Sequence, residues 1–215
     1  MTDTDPPRPL SDGPQPDADD LRSRIVAAAI DAFATRGFHA TSTRMIAEAV
    51  GASTGALYVH FRSKEELLFE ISLIGHRSAL NVVKRAARTI DDPIQQLRAV
   101  VRAYMMDQAE RRTTASVVNY ELRSLTDEHR IQVAALRREL DFEVRFVLES
   151  GLRRGVFDIA DPPVTATAIL SLGIDLARWF RPGAGWSAER IADQYSDLVL
   201  RMVAVTPSAT ALPTD

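Results

Sequence analysis

Between Ile94 and Asp161 the chain has no proline, and its only glycines are Gly151 and Gly155. No segment of the sequence alternates apolar and polar residues at period two. A long unbroken stretch without that alternation leaves helix as its regular conformation. The apolar positions agree: Val133, Leu136, Leu140, Val144, Val147, Leu148 and Gly151 share one helical face. Breaks are expected near Thr113 and Thr126.

The same period runs through the rest of the chain. Ile25, Ala28, Ala29, Ala32 and Phe33 form a stripe on a first helix. Asp19 or Asp20 can cap its start, and Gly37 supplies a left-handed stop. A second helix begins near Ser42 or Thr43, buries Ile46, Ala47 and Val50, and ends at Gly51. A very short helix from Ser53 or Thr54 to about His60 buries Leu57 and Phe61. Ser63 then caps a long helix to about Thr89 that buries Leu67, Leu68 and Ile71, with Gly75 as a point where it can kink. Asp92-Pro93 starts the next, with Asp at N-cap and Pro at N1, where a missing N–H has no partner to lose. Pro162-Pro163 opens another through Phe180, residues 181–185 turn, and Ser187 caps a final helix through about Val205. The expected fold is all-α with about nine helices: an N-terminal three-helix helix-turn-helix domain and a C-terminal helical bundle.

With 46% apolar and 26% charged residues the composition is globular. A chain of 215 residues buries roughly 70% of its unfolded surface and needs no covalent staple. The absence of cysteine excludes a disulfide scaffold, thiol catalysis and cysteine-ligated metal. There is no run of 18 apolar residues, and the acidic, proline-rich start lacks the apolar core of a secretory signal. The expectation is a soluble cytoplasmic protein with a disordered arm over residues 1–18 and a disordered tail over 207–215.

Charge is unevenly distributed. Residues 1–20 hold six Asp and one Arg, a net of −5. Residues 21–64 hold six basic side chains against Asp31 and Glu48, a net of +4, and the remainder carries −2. One compact segment is therefore positive, as a phosphate-contacting surface requires and as a solvated basic face would also show.

Within that segment Ala47, Gly51 and Leu57 have a spacing with a physical cause. Two short helices crossing steeply leave room for a small residue at the contact, a left-handed residue at the turn, and an apolar anchor on the second helix. Such a pair can offer the outer face of its second helix to a DNA major groove. The surrounding residues sharpen the reading. Ala32-Phe33-Ala34-Thr35-Arg36-Gly37-Phe38 precedes the run from Thr41 to Gly51, followed by the run from Ser53 to Leu68. Residues 21–70 closely resemble the DNA-binding domain of the tetracycline-repressor (TetR) family of transcription regulators. The matching elements are Gly37-Phe38, Ile46-Ala47, Leu57-Tyr58 and Phe61-x2-Lys64.

The resemblance implies a helix-turn-helix domain over residues 19–66 and an effector-binding and dimerisation domain over 67–206. It places Thr43 on phosphate and Arg44 where it can reach a guanine edge. Ser53 and Thr54 start the recognition helix, with Thr54, Gly55 and Ala56 facing the groove. Tyr58 and His60 fall where rings touch phosphates, and Lys64 matches the family's phosphate-binding lysine. Lys64 is one of two lysines in a chain with 24 arginines. Gly55 and Ala56 are small, so readout would rest on Arg44, Thr54 and DNA shape. Tyr58 as a packing ring, His60 as a surface histidine and Arg44 as a solvated charge are the plainer alternatives.

The family also implies homodimerisation through the last two helices. Ala166, Ile169, Leu170, Gly173 and Ala177 make a small-residue stripe on one, and Ile191, Tyr195, Leu198, Val199 and Met202 an apolar face on the other. An intrachain core is the alternative for these faces. Residues 176–192 look like the C-terminal part of TetR-type regulators of lipid, steroid and acyl-CoA catabolism, which suggests a bulky apolar effector such as a CoA thioester. Candidate effector residues are Tyr104, Met105, Met106, Asn119, Tyr120, Phe142, Phe146 and Trp179, most of which would serve equally as core. Arg111-Arg112, Arg137-Arg138 and Arg153-Arg154 could meet CoA phosphates or lie on solvated faces.

The functional expectation is a cytoplasmic, nucleoid-associated, homodimeric repressor that binds double-stranded DNA and is released by an effector. It has no membrane association, cofactor or metal. The alternative is an architectural or division-linked DNA-bound factor without a small-molecule switch. No nucleophile elbow, phosphate loop or metal-ligand spacing is present in the sequence, so no enzymatic activity is expected.

Overall fold

The structure, a computed structural model, describes residues 18–183 and 185–204. The tail expected over 207–215 lies outside them, as does the expected arm apart from Ala18, which opens the first helix. Nine α-helices follow one another among the described residues: α1 (Ala18–Arg36), α2 (Thr43–Ala49), α3 (Thr54–His60), α4 (Lys64–Thr89), α5 (Pro93–Glu110), α6 (Arg112–Tyr120), α7 (Asp127–Arg153), α8 (Pro162–Trp179) and α9 (Ala188–Val203). A short 3-10 turn (Leu122–Ser124) joins α6 to α7. The only β-pairing among these residues is one isolated bridge between Phe157 and Ala204.

The start signals act largely as their chemistry dictates. Ser42, Ser53, Ser63, Asp92, Thr126, Asp161 and Ser187 each accept a hydrogen bond from the backbone N–H three residues on, satisfying a donor the helix cannot. Gly37 and Gly51 stop α1 and α2 at φ +79° and +69°, conformations that a Cβ disfavours. One expected cap differs. Because α1 begins at Ala18, Asp19 and Asp20 lie inside its first turn, and the Asp20 carboxylate instead meets Arg24 one turn on, at 3.8 Å. The break expected near Thr113 falls at Arg111. The last helix ends at Val203, and the expected end at Val205 lies outside the described residues.

Two hydrophobic cores form. The first gathers Ile25, Ala29 and Phe33 of α1, Ile46 and Ala47 of α2, Leu57 of α3, and Leu67, Leu68 and Ile71 of α4. Val117 and Val118 of α6, Leu125, and Val133 of α7 complete it, although these belong to the expected C-terminal domain. The second core takes the rest of α4 (Ala79, Leu80, Val83, Ala87) with α5, α7, α8 and α9. Gly75 sits within an unbroken α4. A Cβ there would lie 3.1 Å from Val118, so the glycine admits the close approach of α6.

The small-residue stripe of α8 faces its own chain. Ala166, Ile169, Gly173 and Ala177 are buried in this single chain, and a Cβ on Gly173 would stand 2.3 Å from the Tyr104 ring. Ile191 and Val199 of α9 are likewise buried in the second core, Tyr195 packs against it, and Leu198 and Met202 stay exposed. The intrachain alternative therefore accounts for the stripe itself, because α8 must seat the aromatic ring of α5.

Gly151 in α7 makes a similar close contact: an added Cβ would fall 2.0 Å from the buried Phe157 ring. Gly151→Ala is expected to destabilise the fold by ~1–3 kcal/mol in urea denaturation, the overpacking cost outweighing the gain in helix propensity. Unchanged or increased stability would contradict this packing.

Candidate nucleic-acid interface and effector cavity

The turn between α2 and α3 is closed by Ala52 N–H donating to Ala47 C=O at 2.9 Å. Ala47 is fully buried at the crossing, and Leu57 is the one residue of α3 fully buried against the core. The rest of α3 therefore faces outward. Gly55 and Tyr58 are exposed, Val59 is 81% exposed, and Thr54, Ala56 and His60 are half-buried. Ser53 accepts from Ala56 N–H at 3.1 Å, which leaves its own hydroxyl proton free to donate.

The structure brings Thr43 and Tyr58 together, their hydroxyl oxygens 3.3 Å apart across the two helices. Arg44 projects from α2, 79% exposed, with its Nε donating to Glu48 Oε1 at 2.7 Å. That hydrogen bond and the carboxylate charge raise the guanidinium pKa further, and both terminal nitrogens remain available. Lys64 is more committed than its sequence position suggests. Its ammonium donates to the carbonyls of Phe38 at 2.7 Å and Thr41 at 2.6 Å and lies 4.2 Å from the Phe38 ring centre. Two of its three N–H groups thus brace the α1–α2 loop, leaving one to point elsewhere.

Other side chains hold this surface and carry no recognisable sequence signal. Thr41 is buried and donates to the Gly37 carbonyl at 2.9 Å. Glu121, beyond α6, accepts from Phe38 N–H at 3.2 Å. Glu65 in the first turn of α4 accepts from Thr126 N–H at 2.9 Å and from His129 Nδ1 at 2.8 and 3.0 Å. The His129 ring stacks on Phe69 with centroids 3.7 Å apart.

A cavity of about 270 Å³ lies between α4, α5, α6, α7 and α8. Of the candidate effector residues, Tyr104 and Asn119 line it. Met105 is fully buried in the second core, and Met106 packs against that core from another side. Tyr120 is half-exposed beside α1. Phe142 and Phe146 are about half-exposed on α7, 6.4 Å apart, and Trp179 packs edge-on against Phe180 and Trp186. None of these six lines the cavity. Helical spacing identifies an apolar face without saying which neighbour it meets. Among the arginine pairs, Arg137 and Arg138 reach the cavity, where Arg137 donates to Asn119 Oδ1 at 3.2 Å.

His76 and Gln108 also line it, and sequence reasoning did not select either. The signal was there in His76, a polar residue on the apolar face of α4 in register with Ala79, Leu80 and Val83. Burial pulls the His76 pKa down to about 4, with the Arg137 charge adding to the effect and the Ser72 carbonyl opposing it. The ring is therefore neutral near pH 7. Burial pushes Tyr104 and the Asp107 carboxyl upward, the latter against hydrogen bonds from Ser78 and Gln108 and the Arg111 charge. Among the described residues no group of three or more His, Asp or Glu is placed to hold a metal, and no helix is long and apolar enough to cross a membrane.

Three helices with an exposed third helix, set on a helical bundle with a cavity, define a helix-turn-helix transcription regulator. Residues 25–71 match the model for bacterial regulatory proteins of the tetR family, and residues 90–203 match the tetracyclin repressor-like C-terminal domain. The chain belongs to the tetR family of DNA-binding transcription regulators. It is 30% identical over 201 residues to the HTH-type transcriptional repressor KstR2 of Rhodococcus jostii, covering 86% of this chain and 95% of that one. A solved tetR-family regulatory protein from Rhodococcus RHA1 superposes with a TM-score of 0.82 at 40% identity, over 86% of this chain and 98% of its own. AibR, solved with isovaleryl coenzyme A and operator DNA, shares the fold with a TM-score of 0.75 at 24% identity, over 85% and 97% of the two chains.

The neutral, buried His76 has a consequence for stability. Its folded pKa is depressed, so the unfolded chain binds the extra proton between about pH 6.5 and 4, and stability falls as pH falls through that window. The loss at pH 5 relative to pH 7 is expected to be ~2 kcal/mol from this group. The raised Asp107 carboxyl acts in the opposite sense, so the comparison is made against His76→Phe. Urea denaturation should show a shallower acid loss in that variant, and identical pH profiles would contradict the assignment.

Proposed function

We propose that this chain is a homodimeric repressor, held on a palindromic operator and released by a bulky apolar effector bound in the cavity. Its place is the cytoplasm, at the nucleoid. The observation that carries the reading is the orientation of α3: Leu57 alone is fully buried, while its outer face and the neighbouring Thr43, Arg44 and Tyr58 point away from the core. Two copies would set their α3 helices in successive major grooves roughly 34 Å apart. Thr43, Tyr58, His60, Ser53 and the remaining N–H of Lys64 would position the backbone, and Arg44 with Thr54, Gly55 and Ala56 would read bases.

Dimerisation is assigned to α8 and α9 on their outer faces, where Val164, Leu198 and Met202 are exposed, as is Trp186 just before α9. Support for repression comes from KstR2, a repressor related over most of both chains. Support for a thioester effector comes from the presence of Arg137 and Arg138 at the cavity, and from a fold that in AibR holds isovaleryl coenzyme A. Val118 faces both the cavity and the first core, so a ligand against α6 presses on the packing beneath the reading helices. A coupling of about 1–3 kcal/mol would change operator affinity roughly 5–150-fold.

Gel-shift titration of the full chain on its own upstream DNA tests the reading. Binding should weaken steeply with salt, and medium-chain acyl-CoA thioesters should release it. Arg44→Ala should cost about tenfold or more in affinity with unchanged thermal stability. Lys64→Ala should weaken binding and also lower the melting temperature, because the α1–α2 loop loses two hydrogen bonds. An intact dimer that binds no upstream fragment at low salt would overturn the proposal, and binding that no thioester relieves would favour a DNA-bound factor without a switch.

A further inference from the structure

The cavity holds two hydrogen-bond acceptors that the fold leaves without partners. His76 Nδ1 lies 2.8 Å from the Ser72 carbonyl, which can only accept, so Nδ1 carries the ring proton and Nε2 presents a lone pair. Gln108 Nε2 donates to Asp107 Oδ2 at 3.3 Å, which fixes the amide orientation, since the reverse would set two oxygens against each other. Nε2 of His76 and Oε1 of Gln108 are both buried with no hydrogen-bond partner among the described residues. The two residues are only 6% and 5% exposed, and both line the same cavity. A buried acceptor left unmade costs on the order of 1–3 kcal/mol, so a fold keeps two at one site only against a compensation.

No N–H or O–H among the described residues reaches either atom. The Tyr104 hydroxyl is already spent on the Leu170 carbonyl, at 3.2 Å. The rim has the opposite character. Arg138, Thr167 and Ser171 are exposed there, and Arg137 and Arg138 keep N–H groups beyond those given to Asn119 Oδ1 and the Ala134 carbonyl. Asp141, also at the rim, is paired with Arg145 at 3.8 Å, which limits its opposition to an incoming anion. The remaining wall is largely apolar, through Ala79, Val118, Leu140 and Ile174.

We infer that the ligand of this cavity is an apolar molecule with a hydroxyl that donates its one proton to either of the two acceptors, His76 Nε2 or Gln108 Oε1, and an anionic group held by Arg137 and Arg138. The inference rests on the proposed effector role of the cavity and narrows it from apolar ligands in general to hydroxylated, acidic ones. The hydroxyl is what separates ligand from non-ligand, because a site built to accept a hydrogen bond rejects an analogue that lacks the donor. The anion can be a free carboxylate or the phosphates of a thioester, and the two sources are distinguished by experiment.

Isothermal titration calorimetry on the full-length chain compares decanoate with 10-hydroxydecanoate, and decanoyl-CoA with 10-hydroxydecanoyl-CoA. Within whichever pair binds, the hydroxylated member should bind about tenfold tighter or better. At least one of Gln108→Leu and His76→Phe should shrink that ratio to about twofold by weakening only the hydroxylated ligand. The pair that binds identifies the anion. Equal affinities within a pair, or a ratio unchanged in both variants, would overturn the donor site while leaving the effector cavity standing. Binding of neither pair would overturn the inference, and operator release by unhydroxylated thioesters then decides the cavity's role separately. Should a variant fail to fold, the wild-type ratio alone is decisive: about tenfold supports the donor site and equal affinities overturn it.

Discussion

Helix α4 passes through both hydrophobic cores, and the rest of the molecule depends on that continuity. Leu67, Leu68 and Ile71 close the core beneath α1–α3, and Ala79, Leu80, Val83 and Ala87 anchor the bundle that holds the cavity. Gly75 lies between the two sets, where the missing Cβ lets Val118 of α6 approach. Val118 is therefore shared between the wall of the cavity and the core beneath α2 and α3.

Magnitudes favour treating the two parts as one unit. Val117, Val118, Leu125 and Val133 are almost wholly buried in the first core, yet come from the C-terminal half of the chain. At roughly 1.5–3 kcal/mol for each such side chain, their burial is comparable to the whole stability of a small domain. A unit of about fifty residues buries too little surface to forgo such a contribution comfortably. The polar contacts run the same way: Glu65 ties the first turn of α4 to Thr126 and His129, and Glu121 holds the Phe38 N–H. Several exposed ion pairs, such as Arg44–Glu48 and Arg178–Asp175, add little by comparison.

The elements written in local chemistry were legible in the sequence. Ser42, Ser53 and Ser63 cap helices, Gly37 and Gly51 stop them, and Ala47 and Leu57 occupy the crossing and the anchor. These signals act within a few residues, so a linear reading captures them. Contacts between distant helices were not legible. Phe142 and Phe146 looked like pocket residues and are half-exposed, while the α8 stripe looked like a partner surface and instead receives the Tyr104 ring. Lys64 occupies the expected position, but its bonds to two loop carbonyls depend on how α1 and α2 close on α4. His76 announced itself as a polar residue on an apolar face, whereas Gln108 becomes notable only when Asp107 turns its amide and leaves the oxygen unpartnered.

Helices α1–α3 and the cavity-bearing bundle thus share one cooperative framework. Hydrogen exchange of the full chain in rising urea, followed separately on peptides from α1–α3 and from α7–α8, tests it directly. Both sets are expected to lose protection together, at one urea concentration. Loss of protection in α1–α3 at distinctly lower urea, with α7 and α8 still protected, would show two independent bodies and contradict it.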